Sequence, residues 1–371
     1  MAFAPVRGSG GHAAAVSPPI GGPAVDAAHR LPETVRSEEE LEELLSRPSP
    51  ADVAFARTLG ADVVVLGAGG KMGPSLARRV RRALDAAGSR RRVLAVARFS
   101  EPGLAARLVR EGVETIACDL LDPAQVARLP KVENVLFLAG RKFGSTGRPD
   151  LTWAQNVVVP SIVAPHFAES RIVVFSSGNV YPLVVPGSRG STEEDPPGPV
   201  GEYAQTCVGR ERVFEHASLE RGARCVLFRL FYAVDLRYGT LVDVARQVHE
   251  GEPLDLRASH VNAIWQGDAS SYAFRALSLC ESPPRPLVVT GPDVVSVRAA
   301  AETFGERFSR PPRFVGEPGP ALLGDPALCV SLLGPPEVEL ARLLDWVAAW
   351  VERGGRSLGK PTHFEATDGR F

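Results

Sequence analysis

The chain contains no hydrophobic run approaching the roughly 20 residues that a membrane-spanning helix needs. Met1 to Arg30 also lacks the ~7–15-residue apolar stretch of a secretory signal, so the sequence predicts a soluble, cytoplasmic protein. Cysteine is scarce: the five thiols at 118, 207, 225, 280 and 329 form no paired spacing, which argues for a reducing compartment and against a zinc site. The seven histidines lie far apart and include no metal-ligand doublet. Charge of either sign is not in excess, with 42 Lys and Arg against 43 Asp and Glu, so there is no field to draw in nucleic acid or an anionic membrane. Arginine greatly outnumbers lysine, an imbalance that codon usage alone is enough to produce. No internal repeat is visible.

What is present is ordinary in amount and specific in arrangement. A length of 371 residues with 44% hydrophobic content suffices for one large or two modest domains. Residues 1–31, rich in Gly, Pro, Ala and Ser, read as a disordered tail. Residues 32–59 read as a helical segment: Ser37 caps a short helix with acidic residues in its first turn and Leu41, Leu44 and Leu45 on one face, and Pro48 and Pro50 end it.

The region from 60 to 235 is organised around Asp62-Val-Val-Val-Leu-Gly-Ala-Gly-Gly-Lys-Met-Gly73. A β-branched run without polar alternation predicts a buried parallel strand, and the glycines after it lead into a helix running to about Ala87. A glycine spacing of one, three and six fails at Met72, whereas one, four and seven fits Gly67, Gly70 and Gly73. Small residues there let backbone amides, Lys71 and Met72 among them, approach a diphosphate at a helix N-terminus, and Gly73 lets the helix pack on the strand.

Further strands are predicted at Val93–Ala97, Val113–Ala117, up to Gly140, at Ile172–Phe175 and at Ala223–Leu230, with helices between them. Trp153 to Ala168 reads as a helix that Pro160 and Pro165 should bend or interrupt. This alternation predicts a doubly wound parallel α/β sheet whose ligands lie beyond the carboxyl ends of the strands. The tip of the second strand carries Arg98 and Ser100 in place of an acid that would bond a ribose 2′-hydroxyl, which favours NADP over NAD. Residues 183–200 read as a loop mobile over the site. Residues 236–371 read mainly as a small α/β substrate subdomain, with sheet elements returning near 255–285, a Pro-rich stretch to 336 and a final helix bearing Trp346 and Trp350. Asp268 is given a structural role near a helix N-terminus.

By its order of motifs the chain resembles the extended short-chain dehydrogenase/reductase family, in its NAD-dependent epimerase/dehydratase branch, over roughly residues 60 to 300. Gly67, Gly70 and Gly73 match that family's cofactor glycines, Asp119-Leu120 its adenine contact, and Ala139-Gly140 the backbone under the cofactor. Phe175-Ser-Ser-Gly-Asn-Val-Tyr181 resembles its serine strand, with Ser177 at the catalytic hydroxyl, and Tyr203 falls at the catalytic tyrosine. The resemblance implies a Rossmann fold, an NAD(P) cofactor, hydride transfer coupled to proton transfer through Ser177 and Tyr203, and a sugar, sugar nucleotide or sugar acid as substrate. It also implies a homodimer through helices beginning near Trp153 and Glu202.

One feature departs from that pattern. The family's lysine one turn after the tyrosine is Cys207 here, and a neutral thiol cannot favour a phenolate. Three explanations stay open at this stage: another cation, Arg210 on the same helix face or Lys142 at the mouth of the site, substitutes; the tyrosine acts only as an acid; or the protein binds a cofactor as a sensor or scaffold without turnover. Arg141, Lys142 and Asn179, together with Ser177, are expected on the substrate side, with Arg229 and Tyr232 near them, and two adjacent cations suit a carboxylate or phosphate.

Overall fold

Val63, Val64, Val65 and Leu66 make up strand β1 (Val63–Leu66), and none has an exposed face in the computed structural model of the chain, which describes residues 30–142, 144, 147–360, 362–366 and 368–369. Apart from Arg30 and Leu31, the tail expected over 1–31 lies outside the described residues. Strands β2 (Val93–Ala97) and β4 (Asn134–Phe137) flank β1, and β3 (Glu114–Ala117), β5 (Arg171–Ser177), β6 (Arg224–Leu230) and a later strand extend the sheet. The alternation of side chains along β1 serves two cores. Val63 and Val65 pack with α3 (Gly73–Ala86), which follows α1 (Glu38–Ser46) and α2 (Pro50–Thr58); Val64 and Leu66 pack on the opposite face with Phe137 and Phe214. Each such buried aliphatic side chain is worth about 1.5–3 kcal/mol, which is why the run tolerates no polar residue.

Helices α4 (Leu104–Arg110), α5 (Pro123–Val126), α6 (Pro149–Trp153), α7 (Val159–His166) and α8 (Gly201–Arg221) complete the crossovers. After β6 come β7 (Tyr232–Val234), α9 (Thr240–Glu250), β8 (Pro253–Asp255), β9 (His260–Val261), β10 (Ala263–Trp265), α10 (Gln266–Arg275) and β11 (Arg285–Val289). The main sheet is parallel throughout, in the order β11-β6-β5-β4-β1-β2-β3. Strand order reverses between β1 and β4, so their carboxyl ends open the crevice in which such sheets bind ligands. Three two-stranded sheets lie outside it: β10 with β7, β9 with β12 (Val295–Ser296), and β8 with β13 (Arg313–Val315). Helices α11 (Val297–Phe308), α12 (Ala327–Leu333) and α13 (Leu340–Glu352) close the chain, and the Pro-rich stretch to 336 contains a strand and a helix. Among the described residues no helix is long and apolar enough to cross a membrane.

Three expectations are corrected. The helix predicted over 153–168 is split by a π-helical turn, Ala154–Val158: Pro160 has no N–H to give the carbonyl of Asn156, and the Val159 N–H instead reaches back to Ala154. The fourth strand ends at Phe137 rather than Gly140. The loop 183–200 is fastened: Val184 bridges to Ala321, Ser191 to Gly324, and Glu193 Oε1 accepts the Val288 N–H at 2.7 Å.

Candidate active site

The turn after β1 separates the three glycines by cause. Gly67 has φ +88°, and a Cβ on it would come within 2.6 Å of the Ala139 nitrogen at the end of β4. Gly73 could gain a Cβ only by meeting Ala68 Cα at 2.6 Å. The protein's own packing therefore demands both. Gly70 is different: a Cβ there would lie 3.4 Å from the Gly67 carbonyl, an ordinary contact, and its φ is not left-handed. The N-cap of α3, Met72, makes no side-chain capping bond, which leaves first-turn amides and the helix dipole turned toward this space. Gly67, Gly70, Lys71, Met72 and Gly73 all border one cavity of about 980 Å³. Ala139 and Leu120 are buried in one hydrophobic core, Asp119 is built into a turn, its carboxylate accepting the Leu121 N–H at 3.0 Å, and none of the three borders the cavity. Arg98 and Ser100 stand exposed past the end of β2 and do not border the cavity.

Across the crevice, β5 runs on through Ser176 to Ser177. The Ser177 hydroxyl donates to Asn179 Oδ1 at 2.9 Å and accepts the Asn179 N–H, which fixes it at the cavity wall. Tyr203, near the start of α8, shares hydrogen bonds with Ser177 and with the Cys207 thiol one turn later. Burial drives its phenol well above the usual value; Cys207 pushes the same way, and the Arg210 charge works against both. Burial likewise raises the Cys207 thiol, with Arg210, the Tyr203 hydrogen bond and Lys142 opposing. Arg210 exerts its field with both amino groups engaged: Nη1 donates to the Phe175 carbonyl and Nη2 to Asn156 Oδ1, each at 2.6 Å. A side chain at Gly140 would collide with that guanidinium. Lys142, arriving from beyond β4, holds its ammonium 5.9 Å from the Tyr203 ring centroid.

Asn156 escaped the sequence reading. The π-helical turn aims it inward, where Oδ1 also accepts the Arg141 N–H at 2.8 Å and Nδ2 donates to the Arg141 carbonyl and the Thr206 hydroxyl. The two prolines that follow it were the available signal. Arg229, expected near the substrate, is instead buried in a two-pronged pair with Glu211, at 3.0 and 2.7 Å, and donates to the Tyr181 hydroxyl. Tyr232 does border the cavity.

The remaining walls come from segments far away in sequence. Arg237 donates to both Asp235 oxygens and to Glu42 of α1. After α13 the chain returns to the cavity as a strap that turns at Gly359 (φ +62°) and His363 (φ +51°): Arg356, Leu358, Lys360, Thr362, Phe364 and Ala366 border the space. Its anchors are Leu358 N–H to the Arg237 carbonyl and Thr362, whose N–H and hydroxyl both donate to Asp243 Oδ2 at 2.8 and 2.7 Å. Among the described residues no group of three His, Cys, Asp or Glu could hold a metal.

Residues 63–262 match the family described as the NAD dependent epimerase/dehydratase family. No curated protein matches the chain. Solved structures with the same fold include a dTDP-glucose 4,6-dehydratase of Streptomyces venezuelae with NAD bound, at 18% identity over 79% of this chain and 98% of that one, TM-score 0.67. A UDP-glucose 4-epimerase of Thermotoga maritima with UDP-glucose is 15% identical over 79% and 99%, TM-score 0.64. A UDP-glucuronic acid 4-epimerase of Bacillus cereus with NAD is 17% identical over 79% and 99%, TM-score 0.62. At such identities the likeness is one of fold.

Proposed function

Because this chain belongs to the NAD-dependent epimerase/dehydratase family, we propose that it is an NAD(P)-dependent epimerase or dehydrogenase-type oxidoreductase acting on a sugar, sugar nucleotide or sugar acid. The observation that carries the reading is the hydrogen-bonded pair of Ser177 and Tyr203 on the same cavity as the Gly70–Gly73 turn. Gly70 has no packing reason to lack a side chain, and the uncapped start of α3 offers amides to an anion, so these residues fit a dinucleotide's diphosphate. Asp119 and Leu120 would hold the adenine, and Ala139 and Gly140 would lie under the nicotinamide half. Arg98, with Ser100, favours a 2′-phosphate and hence NADP; Glu101, the nearest acid along the chain, is paired with Arg107.

When bound, the cofactor supplies the hydride. The residues do the rest. Ser177 holds the reacting oxygen of the substrate. Tyr203, kept protonated by its burial, gives that oxygen a proton as hydride reaches carbon, and the charges of Arg210 and Lys142 stabilise the phenolate left behind. Arg141, Lys142 and Asn179 face the rest of the substrate. A homodimer through the end of α6, the π-helical turn after it and the start of α8 belongs to the same reading: Trp153 and Val158 expose apolar surface there, and Trp153 hydrogen-bonds to Glu202 at the base of α8.

The test is Tyr203→Phe assayed against a panel of sugars, sugar acids and UDP-sugars, by NADPH absorbance for net reduction and by chromatography of the sugar for epimerisation, which returns the hydride and leaves no net absorbance change. Loss of turnover with unchanged coenzyme affinity is expected. A wild-type protein that binds coenzyme and turns over nothing in the panel would instead be a sensor or scaffold.

A further inference from the structure

We propose that Glu211 and Arg229 are positioning residues for the reaction: through one carboxylate they fix α8 against β5 and against the turn that follows β5, and so set the reach between the Tyr203 and Ser177 hydroxyls. The inference rests on the oxidoreductase reading and adds to it what holds its two hydroxyls together. Neither Glu211 nor Arg229 borders the cavity, so both act through other residues.

Tyr203 stands on a helix and Ser177 on a strand, so no local geometry decides how far apart they lie. The grip between the two elements is a pair of matched contacts. Consecutive residues of α8 hold consecutive residues of β5: Arg210 donates to the Phe175 carbonyl and Glu211 accepts from the Ser176 hydroxyl, each at 2.6 Å. Ser177 is the next residue along the strand, and Tyr203 lies eight residues before Glu211, about 12 Å along the same helix.

A second grip falls on the turn. Ser177 is oriented by Asn179, which belongs to the 3-10 turn Gly178–Val180. That turn leads directly into Tyr181, a buried side chain whose hydroxyl accepts from Arg229 Nη1 at 2.6 Å and whose ring centroid lies 4.8 Å from the guanidinium carbon. Arg229 is the partner of Ser176 in the register of β5 and β6, and its Nε and Nη2 reach both oxygens of Glu211 at 3.0 and 2.7 Å. One carboxylate therefore joins α8, β5, β6 and the turn that orients Ser177.

Stability does not account for charges here. Glu211 is 1% exposed and Arg229 4%, and apolar side chains of similar volume in place of such a pair are often as stable or more so. What the pair adds is direction, because a guanidinium fork meets a carboxylate in one planar arrangement. Proton transfer depends on that direction: a displacement of about 1 Å from the productive geometry can cost about a hundredfold in rate.

The experiment separates positioning from folding. Arg229→Met with Glu211→Leu exchanges the pair for apolar side chains, and meta-fluorotyrosine incorporated at position 203 reports, through its fluorine resonance, the phenol's hydrogen bond to Ser177 without coenzyme or substrate. Ser177→Ala marks where that resonance lies once the bond is gone. In the double variant, melting near the wild-type temperature, the resonance should move most of the way to the Ser177→Ala position. Where the wild type turns over a member of the sugar panel, kcat should fall at least about tenfold with KM within about threefold. Tyr181→Phe keeps the ion pair and frees only the turn, so it should move the resonance the same way by a smaller step, and it carries the test alone if the double variant does not fold. A double variant of wild-type stability whose resonance stays in place, or whose kcat is unchanged, overturns the proposal. A wild-type protein that turns over nothing defeats the oxidoreductase reading instead, and the fluorine resonance still decides whether Glu211 and Arg229 hold the two hydroxyls.

Discussion

The Lys142 ammonium stands 5.9 Å from the centroid of the Tyr203 ring, reaching it from the segment beyond β4 rather than from the tyrosine's own helix. One turn beyond Tyr203 the helix offers only the Cys207 thiol, and Arg210, a further turn on, is tied to Phe175 and Asn156. Two cations from two elements thus surround a phenol that burial keeps protonated. Lys142→Met should lower kcat by about tenfold, equivalent to ~1.4 kcal/mol of transition-state stabilisation, and Lys142→Arg should restore part of it. Steady-state kinetics of both variants, beside the coenzyme Kd, make the check.

Bonds from Thr362 to Asp243 and from Leu358 to Arg237 hold the strap to a wall that it completes. A chain ending at Gly355 loses the Thr362 to Asp243 and Leu358 to Arg237 contacts. Stopped-flow displacement of NADH should show several-fold faster release from the truncated protein, while its sheet remains folded by circular dichroism.

Arg229 and Glu211 form the most enclosed ion pair near the site, and Ser176 donates to the same carboxylate at 2.6 Å. Arg229→Met leaves Glu211 buried without its counter-charge and should cost about 3–5 kcal/mol in urea unfolding. The double variant Arg229→Met with Glu211→Leu should recover most of that loss.

Asp268, at the start of α10, accepts the Val338 N–H at 3.0 Å, and burial raises its carboxyl to about 7. The unfolded chain gives up this proton near 3.8, so between there and about 7 the folded state holds the extra proton. Stability should therefore fall as pH rises through that window, by up to about 1.4 kcal/mol per unit from this group. Asp268→Asn should flatten the slope, as measured by urea unfolding at a series of pH values.

How much of this was written in the sequence depends on how local each cause is. β1, its glycine turn and α3 were legible because a nonpolar run, a φ requirement and a helix start are decided within a dozen residues. That Ser177 and Tyr203 would share one cavity was legible from the order of motifs, and the nearness of Arg210 from helical spacing and of Lys142 from its place after Gly140; their roles stand as proposed above. The π-helical turn was not, because Pro160 acts on a bond four residues back and only the resulting geometry brings Asn156 inward. Strands of two or three residues, such as β7 and β9, are too short to carry a period. The pairing of Glu42 with Arg237 joins residues 195 positions apart, and no local pattern announces it. The strap carries no such pattern, since among the described residues Leu358 and Phe364 are the large apolar side chains it brings to the cavity.

Gly70 gives the sharpest test, since it alone among the three spaced glycines has room for a methyl group in the folded protein. The decisive measurement is a fluorescence titration of wild-type and Gly70→Ala protein with NADH and NADPH, alongside their melting temperatures. Saturable binding to the wild type, with NADPH the tighter, and at least about tenfold weaker binding to a variant of unchanged melting temperature is the expected result. Binding of neither coenzyme to the wild type, or equal affinity in the variant, would contradict the account.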